Sequence, residues 1–222
     1  MLPPKLPPRT ARRWPLHRAT ITKVLRCYIT SRHQAGGPAA LLSLIERALV
    51  LGIELIQIRE KDWDTRSLAL FTERVLALPN PHRSLILVNG RADIALGTGA
   101  HGVHLPSDAI SPKTLRAITP SRFVIGVSCH SRVEMDRALN EDADYVFLSP
   151  VFAPLSKQDT RAPLGLDGLR TAVKGFPIPT FALGGVTPKT LADCVAAGAP
   201  GVAGITVFQR HLLLTNPPPE AG

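Results

Sequence analysis

Residues 180–206, TFALGGVTPKTLADCVAAGAPGVAGIT, contain one complete β/α unit and the strand that follows it. Thr180–Leu183 is a short apolar run that predicts a buried strand. A threonine followed by a proline then begins an amphipathic stretch, Thr187–Ala197, which is the usual start of a helix. Gly198 ends this helix, and a second apolar run, Val202–Thr206, follows. Neither run alternates with polar residues, which is typical of parallel strands covered on both faces.

The same unit recurs along the chain. The eight candidate strands are Leu25–Thr30, Glu54–Ile58, Leu85–Asn89, Gly102–Leu105, Phe123–Val127, Tyr145–Ser149, Thr180–Leu183 and Val202–Thr206. The segments that predict helices between them include Leu41–Leu51, Ser67–Leu78, Ser111–Ile118, Ser131–Leu139, Leu166–Lys174 and Thr187–Ala197. This repetition predicts one α/β domain, a single (β/α)8 TIM barrel over residues 25–214 with a short last helix.

A doubly wound open sheet is the alternative fold. It would need fewer strands, or a switch point marked by a Gly-rich dinucleotide-binding turn. No GxGxxG motif follows the first predicted strand. The pattern therefore favours the barrel.

The basic charge is concentrated at one end of the chain. The formal net charge is +9, and residues 1–24 contain six Lys and Arg but no acidic residue. The remainder carries about +3, which suits an anionic small substrate but not the basic face of a nucleic-acid-binding domain. We expect residues 1–24 to be a basic, Pro-rich, disordered extension and residues 215–222 to be a flexible C-terminal tail.

Cysteine usage and hydropathy bear on the compartment. Cys27, Cys129 and Cys194 are far apart and form no CxxC pair, which is typical of reduced cytoplasmic thiols. The N-terminus lacks the apolar segment of a secretory signal, and no run of about 18 apolar residues predicts a membrane span. We expect a cytoplasmic protein that binds a small phosphorylated substrate and neither a membrane nor a specific nucleic acid. The pattern does not decide whether the protein forms an oligomer.

Polar side chains follow the predicted strands at the end that carries the chemistry in a TIM barrel. Gln57, Arg59 and Lys61 occupy alternating positions at the end of the second strand, so we expect all three to point into the barrel mouth. Inward cations need a charge partner. An anionic ligand is one possible partner, and a structural salt-bridge cluster with Glu54 or Glu60 is the other.

The third and fifth strands also lead into polar residues. Asn89 precedes Gly90, so it either hydrogen-bonds a heterocycle or forms a simple Asn-Gly turn. Ser128, Cys129 and His130 follow the fifth strand. A histidine here is a candidate general base, although a lone histidine is commonly structural. Nothing near Cys129 indicates an activated thiol, which favours a structural role.

The last three loops supply a candidate phosphate site. Ser156 and Lys157 lie in a long loop after the sixth strand, which is either a flap over the mouth or an ordinary solvated loop. Gly184–Gly185 follows the seventh strand and Ile205–Thr206 ends the eighth, each just before a helix. Backbone N–H groups near helix N-termini in these two loops form the usual phosphate site of a TIM barrel.

Seven motifs at seven strand ends, in this order, resemble the thiamine phosphate synthase and thiazole tautomerase family over roughly residues 25–208. They are QIREK (57–61), VNGRADIAL (88–96), GVHLPS (102–107), GVSCHS (126–131), DADYVFLSPVF (142–152), ALGGVTP (182–188) and GVAGIT (201–206). The resemblance implies a TIM barrel that acts on a thiazole phosphate.

The synthase branch of this family implies a role for each matching residue. The pyrophosphate of an aminopyrimidine would be held by Gln57, Arg59, Lys61 and Lys157, with Asn89 and Ser128 nearby. The thiazole phosphate would lie against the sixth loop up to Ser156, against Gly185, and against Ile205–Thr206.

Three positions depart from the synthase pattern. Gly90 and Ala109 stand where the synthase has two magnesium-binding aspartates, and neither offers a side-chain oxygen. Pro154 stands where a threonine that holds the thiazole phosphate is expected. The Asn-Gly-Arg and Leu-Pro-Ser segments instead resemble the tautomerase branch, in which His130 matches the catalytic histidine. That branch moves a proton from thiazole C2 to an exocyclic carbon without a metal.

The leading hypothesis is therefore a metal-free tautomerase with His130 as its catalytic residue and no cofactor. The first alternative is a Mg2+-dependent synthase that recruits Asp108 or Asp93 as a metal ligand, because the pyrophosphate-binding residues are retained. A regulator that binds thiazole or thiamine phosphates without turnover is a further alternative. An unrelated phosphosugar isomerase barrel would share the phosphate site but does not predict Lys157.

Overall fold

The computed structural model describes residues 23–153 and 161–214, which form a closed barrel of eight parallel strands. The strands are β1 (Leu25–Ile29), β2 (Leu55–Ile58), β3 (Leu85–Asn89), β4 (Gly102–Leu105), β5 (Val124–Cys129), β6 (Tyr145–Leu148), β7 (Thr180–Ala182) and β8 (Gly201–Gly204). Neighbouring strands follow chain order, and β8 pairs with β1. This closing pair confirms the predicted TIM barrel and excludes the open sheet.

Helices cover the outside of the barrel. In the described residues they are α1 (Arg32–Ala35), α2 (Pro38–Val50), α3 (Thr65–Leu76), α4 (Ala92–Thr98), α5 (Pro112–Arg116), α6 (Arg132–Asn140), α7 (Gly165–Val173), α8 (Pro188–Ala196) and α9 (Thr206–Leu214). The segments α1 and α4 carried no predicted helix. Both are short and begin without a side-chain cap: Ser31 precedes α1 but makes no capping hydrogen bond, and Arg91, which precedes α4, is not a usual capping residue.

The predicted helix starts are explained by side-chain caps. The Thr187 hydroxyl accepts from the backbone N–H of Thr190, and the Thr190 hydroxyl accepts from the backbone N–H of Thr187, so α8 begins with a reciprocal capping box. Ser111 caps α5 and Ser131 caps α6 more simply, each by accepting from one backbone N–H, of Thr114 and Glu134 respectively. Each cap satisfies a backbone N–H that has no partner inside its helix.

Two strand ends differ from prediction in ways that affect the mouth. β5 continues to Cys129, because Ser128 and Cys129 pair with Phe147 and Leu148 of β6. β8 ends at Gly204 rather than at Thr206, which is the first residue of α9. The predicted strand ran too far because Ile205 and Thr206 are β-branched, yet Ile205 lies in the bend after β8 and Thr206 begins a helix.

The barrel interior is a separate hydrophobic cluster that includes the rings of Tyr145, Phe147 and Phe181. Two glycines make room for these rings. A Cβ at Gly126 would overlap the ring of Tyr145, and one at Gly201 would collide with the ring of Phe181. Small residues facing large ones are how a small barrel fills its interior.

A larger core fills the space between the barrel and its helices. All three cysteines are buried and carry free thiols. Among the residues that the structure describes, no helix is both long enough and apolar enough to cross a membrane.

Candidate active site

Gln57 and Asn89 form a polar pair at the C-terminal ends of β2 and β3. The Gln57 Nε2 donates to Asn89 Oδ1 at 2.8 Å. Gln57 is 1% exposed, and its Oε1 has no hydrogen-bond partner in the described part of the chain. A buried amide of this kind is normally satisfied. The pair fixes Asn89 by its oxygen, and within residues 23–153 and 161–214 the Asn89 amide N–H groups have no partner, so they can donate to a ligand.

Arg59 and Lys61 occupy different environments, although an alternating pattern placed them together. β2 ends at Ile58, so the alternation does not continue into the loop, and Arg59 is half-buried while Lys61 is exposed. Burial lowers the pKa of the Arg59 guanidinium, and the charge of Glu60 acts in the opposite direction. Among residues 23–153 and 161–214, no carboxylate forms an ion pair with either cation. A structural salt-bridge cluster of these cations with Glu54 or Glu60 is therefore not present in the described residues.

The carboxylates of Glu54 and Glu60 bind other partners. Glu54 pairs with Lys23 at 2.8 Å and with Arg26 at 3.1 Å, at the opposite end of the barrel. Glu60 is buried and accepts from the Thr30 hydroxyl at 2.6 Å.

Glu60 instead fixes the loop from which Arg59 projects. It accepts from the backbone N–H of Arg32 at 3.1 Å and pairs with the Arg32 guanidinium at 3.3 Å. Thr30 Oγ1, which donates to Glu60, accepts from the backbone N–H of Arg59 at 2.9 Å. The ends of β1 and β2 are thereby linked, and the backbone at Arg59 is held in one position.

His104 is a buried residue of the site that sequence reasoning did not identify. It lies inside the barrel on β4, with Nδ1 2.9 Å from the Tyr145 hydroxyl and Nε2 2.9 Å from Ser128 Oγ. Its ring stacks on Phe147 with centroids 4.0 Å apart. Burial, assisted by the positive charge of Arg59, lowers the pKa of His104 to about 3. The imidazole is therefore neutral at physiological pH, with one nitrogen as donor and the other as acceptor.

His130 lies at the rim of the mouth. Its Nδ1 is 2.7 Å from the carbonyl oxygen of Ser149, and its backbone N–H donates to Glu134 at 2.8 Å. Because a carbonyl can only accept, the neutral ring carries its proton on Nδ1 and keeps the lone pair on Nε2. Arg161 Nη1 lies 2.9 Å from both ring nitrogens. His130 is oriented as a base would be, and Arg161 covers it.

The loops after β7 and β8 line a cavity of about 630 Å3. Gly184–Gly185 and Ile205–Thr206, the residues predicted to hold a phosphate, all line it. Both glycines have positive φ, 90° and 63°, which other residues rarely adopt. Gln34 and Arg210 also line this cavity, and the Thr206 hydroxyl donates to Gln34 Oε1 at 3.2 Å. The N-terminus of α9 faces a space large enough for a phosphorylated ring.

Three residues of the predicted site lie outside the described residues, namely Pro154, Ser156 and Lys157. Their roles remain predictions.

The residues at the implied magnesium positions do not fit that ion. Gly90 and Ala109 carry no oxygen, and Mg2+ requires hard oxygen ligands. Asp93 is held by the Arg91 guanidinium at 2.6 Å. Asp108 is exposed and lines a different cleft, beside Arg137. In the part of the chain that the structure describes, no three His, Cys, Asp or Glu residues come together as a metal site.

Comparison with known proteins gives a consistent result. A family model described as "Thiamine monophosphate synthase" matches residues 27–208. A putative thiamine-phosphate synthase from Geobacter sulfurreducens is 39% identical over 180 residues, covering 81% of this chain and 84% of the relative. Putative thiamine-phosphate synthase 2 from Aquifex aeolicus is 37% identical, covering 81% of this chain and 95% of the relative. A thiamine-phosphate synthase from Albidiferax ferrireducens is 32% identical, covering 84% and 85%.

Solved structures agree with the sequence relatives. Thiamine phosphate pyrophosphorylase from Pyrococcus furiosus superposes with a TM-score of 0.74 at 26% identity, covering 86% of this chain and 93% of that one. A 3-hexulose-6-phosphate synthase superposes with a TM-score of 0.61 at 18% identity, covering 82% and 90%. The second likeness concerns the barrel fold alone.

Proposed function

This chain belongs to the thiamine monophosphate synthase family of thiamine-biosynthesis enzymes, and from that premise we propose that it joins an aminopyrimidine pyrophosphate to a thiazole phosphate. The names of its relatives support this synthase reaction over the tautomerisation that the sequence pattern favoured. The proposal rests on the hydrogen-bonded Gln57–Asn89 pair and on Arg59, two residues after Gln57. Arg59 is half-buried and forms no ion pair in the described residues. A tautomerase has less need of such a site, because its substrate carries no pyrophosphate.

The side chains at the mouth match the charges that change in this reaction. The methylene C–O bond of the aminopyrimidine breaks, pyrophosphate leaves with that electron pair, and the thiazole nitrogen forms the new C–N bond. The leaving group gains negative charge, which fixed cations stabilise most strongly in a partly dehydrated site. We assign this role to Arg59 and Lys61, together with Lys157 from the sixth loop. Asn89 and Ser128 would hold the aminopyrimidine.

The thiazole phosphate would occupy the opposite side of the mouth. The cavity there is lined by Gly184–Gly185 and Ile205–Thr206. Backbone N–H groups at the start of α9 and the glycine turn suit a phosphate dianion. We also assign Ser156 to this phosphate.

No step of this proposal passes through magnesium, because the described residues do not fit it. The charge of the pyrophosphate is met by side-chain cations instead. We therefore infer that coupling continues in excess chelator. An enzyme that depends on a resident metal would lose its activity under the same conditions.

Tautomerisation is a second candidate, favoured by one specific geometry. The Ser149 carbonyl holds His130 in the tautomer whose Nε2 is basic. That nitrogen would take the thiazole C2 proton and return it to the exocyclic carbon once the substrate displaces Arg161. Gly90 and Ala109 agree with this metal-free chemistry.

Paired assays on one protein preparation separate these candidates. The first mixes aminopyrimidine pyrophosphate with thiazole phosphate, and the second follows isomerisation of the thiazole carboxylate phosphate, each with Mg2+ and with chelator. Thiamine phosphate formation supports the synthase. Isomerisation without coupling supports the tautomerase. Binding of thiazole or thiamine phosphate without turnover in either assay would indicate a regulator.

The setting and the chain boundaries are also proposals. We place the enzyme in the cytoplasm, in keeping with its three buried free thiols. We assign catalysis to residues 25–214 and give no catalytic role to residues 1–24 or 215–222.

A further inference from the structure

A continuous hydrogen-bonded chain crosses the barrel interior from Tyr145 through His104 to Ser128. The Tyr145 hydroxyl, the two nitrogens of His104 and Ser128 Oγ are separated by 2.9 Å at each step. Tyr145 is fully buried and His104 is 1% exposed, whereas Ser128 is partly exposed at the mouth. The chain therefore connects the sealed interior of the barrel to the place where a ligand would bind.

The three side chains have little freedom to rearrange. The His104 ring stacks on Phe147 at 4.0 Å, and Tyr145 packs edge-on against Phe181 at 5.4 Å. Gly126 leaves just the space that the Tyr145 ring fills. Rings packed in this way cannot flip or withdraw without disturbing the interior cluster.

The chemistry of the partners sets the direction of the chain. Burial raises the pKa of Tyr145 well above its usual value and lowers that of His104 to about 3, so both groups are neutral. A neutral phenol is a good hydrogen-bond donor, and the lone pair of imidazole is a good acceptor. These strengths favour donation from the Tyr145 O–H to His104 Nδ1. The imidazole proton then resides on Nε2, which donates to Ser128 Oγ.

We propose that Tyr145 and His104 are positioning residues that turn the hydroxyl hydrogen of Ser128 into the barrel mouth, so that Ser128 acts as a donor to the substrate. This inference rests on the proposed function, in which Ser128 contacts the aminopyrimidine substrate. The atom above Ser128 is then a hydrogen-bond acceptor, either a ring nitrogen of the aminopyrimidine or an oxygen of its pyrophosphate. In the opposite direction of the chain, Ser128 would present a lone pair and select a donor such as the exocyclic amino group.

NMR of the ligand-free protein labelled with 15N-histidine tests the direction without any assay of activity. The two ring nitrogens of a neutral imidazole resonate far apart according to which one carries the proton. His104→Gln assigns the resonances by removing them. We expect a protonated Nε2 and an unprotonated Nδ1. A protonated Nδ1 would overturn the proposal, because Ser128 would then donate to His104.

Binding measurements test the positioning role with a matched pair of variants. Tyr145→Phe removes the hydroxyl that bonds His104 Nδ1. Tyr28→Phe removes another buried tyrosine hydroxyl, one that bonds Gln209 at 3.3 Å. We expect Tyr145→Phe to weaken binding of aminopyrimidine pyrophosphate about tenfold, the effect of roughly one hydrogen bond to a charged or buried group, and Tyr28→Phe to leave it nearly unchanged. Equal effects of the two variants would contradict a positioning role.

Two fragment ligands identify the acceptor atom. A loss of affinity by Tyr145→Phe for the aminopyrimidine alcohol places Ser128 on the ring nitrogen. A loss for inorganic pyrophosphate alone places it on the pyrophosphate oxygen, and no loss for either overturns the assignment. Failure of the wild-type protein to bind aminopyrimidine pyrophosphate would refute the proposed function, while the NMR result would still decide the direction of the chain.

Discussion

The Gln57 side chain donates to Asn89 Oδ1 at 2.8 Å across neighbouring strands β2 and β3. This contact fixes which end of the Asn89 amide faces the mouth. The oxygen is occupied by Gln57, and the N–H groups are left to bind a ligand. A site with amide donors on β3 and with Arg59 just after β2 is suited to an anion or to a heterocycle attached to one.

Replacing Asn89 by aspartate tests that orientation. Asn89→Asp keeps the acceptor for Gln57 but replaces the ligand-facing N–H groups with negative charge. We expect kcat/KM for coupling to fall about a hundredfold, because like charges would face each other in a partly dehydrated site. Asn80→Asp, in the loop before β3, is the matched control, since Asn80 bonds only Ser84 in the described structure. A similar loss in both variants would point to a general effect of charge.

Arg59 should act on one substrate only. Arg59→Gln should raise KM for the aminopyrimidine pyrophosphate about tenfold or more while leaving KM for the thiazole phosphate near its original value, since a cation–anion hydrogen bond is lost. The control is Arg26→Gln, because Arg26 bonds Glu54 at the far end of the barrel. Steady-state kinetics with each substrate varied in turn would show the difference. Equal changes in both KM values would argue against a pyrophosphate site at Arg59.

His130 separates the two candidate reactions. His130→Asn can still donate to the Ser149 carbonyl but cannot transfer a proton. Any tautomerase activity should fall about a hundredfold or more, which is typical of losing a general base, while coupling should change little. Retained tautomerase activity in this variant would remove His130 from the mechanism.

The interior of the barrel should tolerate no extra atom at Gly126. An added Cβ would overlap the ring of Tyr145, so Gly126→Ala should destabilise the fold by about 2–3 kcal/mol or more. Gly97→Ala is the control, because nothing lies within 4 Å of its Cβ position in helix α4. That change should instead stabilise by about 0.5–1 kcal/mol. Urea unfolding of the two variants would measure the difference, and similar midpoints would contradict the packing described for the interior.

Buried His104 gives the folding free energy a pH dependence of known sign. Its pKa is about 3 when folded, well below the ordinary value of 6.5, so between those values the unfolded chain binds a proton that the folded protein does not. Stability should therefore fall as pH drops through this window, by up to about 1.4 kcal/mol per pH unit from this group. His104→Gln should remove that part of the slope. Unfolding at pH 7, 5.5 and 4.5 would check it, and parallel curves for the two proteins would show that His104 titrates normally.

The sequence alone predicted the barrel because its strands are short apolar runs that need no distant information. Thr187 and Ser111 also marked helix starts correctly, since a capping residue acts on its own first turn. Thr206 was placed in a strand because β-branched residues favour strands, whereas in the structure the chain turns into α9 there. The alternation of side chains between the two faces of a strand could not predict the position of Lys61, because β2 ends at Ile58.

The interior of the site depends on contacts between residues of different strands, which the sequence pattern of a single strand does not reveal. In GVHLPS, His104 looks like any polar residue inside an apolar strand. Its partners Ser128 and Tyr145 belong to the next two strands, and they reach it only through the register of β4, β5 and β6. Gln34 and Arg210 line the cavity beside the β7 and β8 loops for the same reason, since closure of the barrel brings the first and last helices together.

The most direct test of the proposed function is mass-spectrometric detection of thiamine phosphate after the protein is mixed with aminopyrimidine pyrophosphate and thiazole phosphate, with Mg2+ and with excess chelator. We predict thiamine phosphate and released pyrophosphate in both conditions. Product only with Mg2+ would mean that a metal is required despite Gly90 and Ala109. No thiamine phosphate in either condition, together with isomerisation of the thiazole carboxylate phosphate, would contradict the synthase and assign the chemistry to His130.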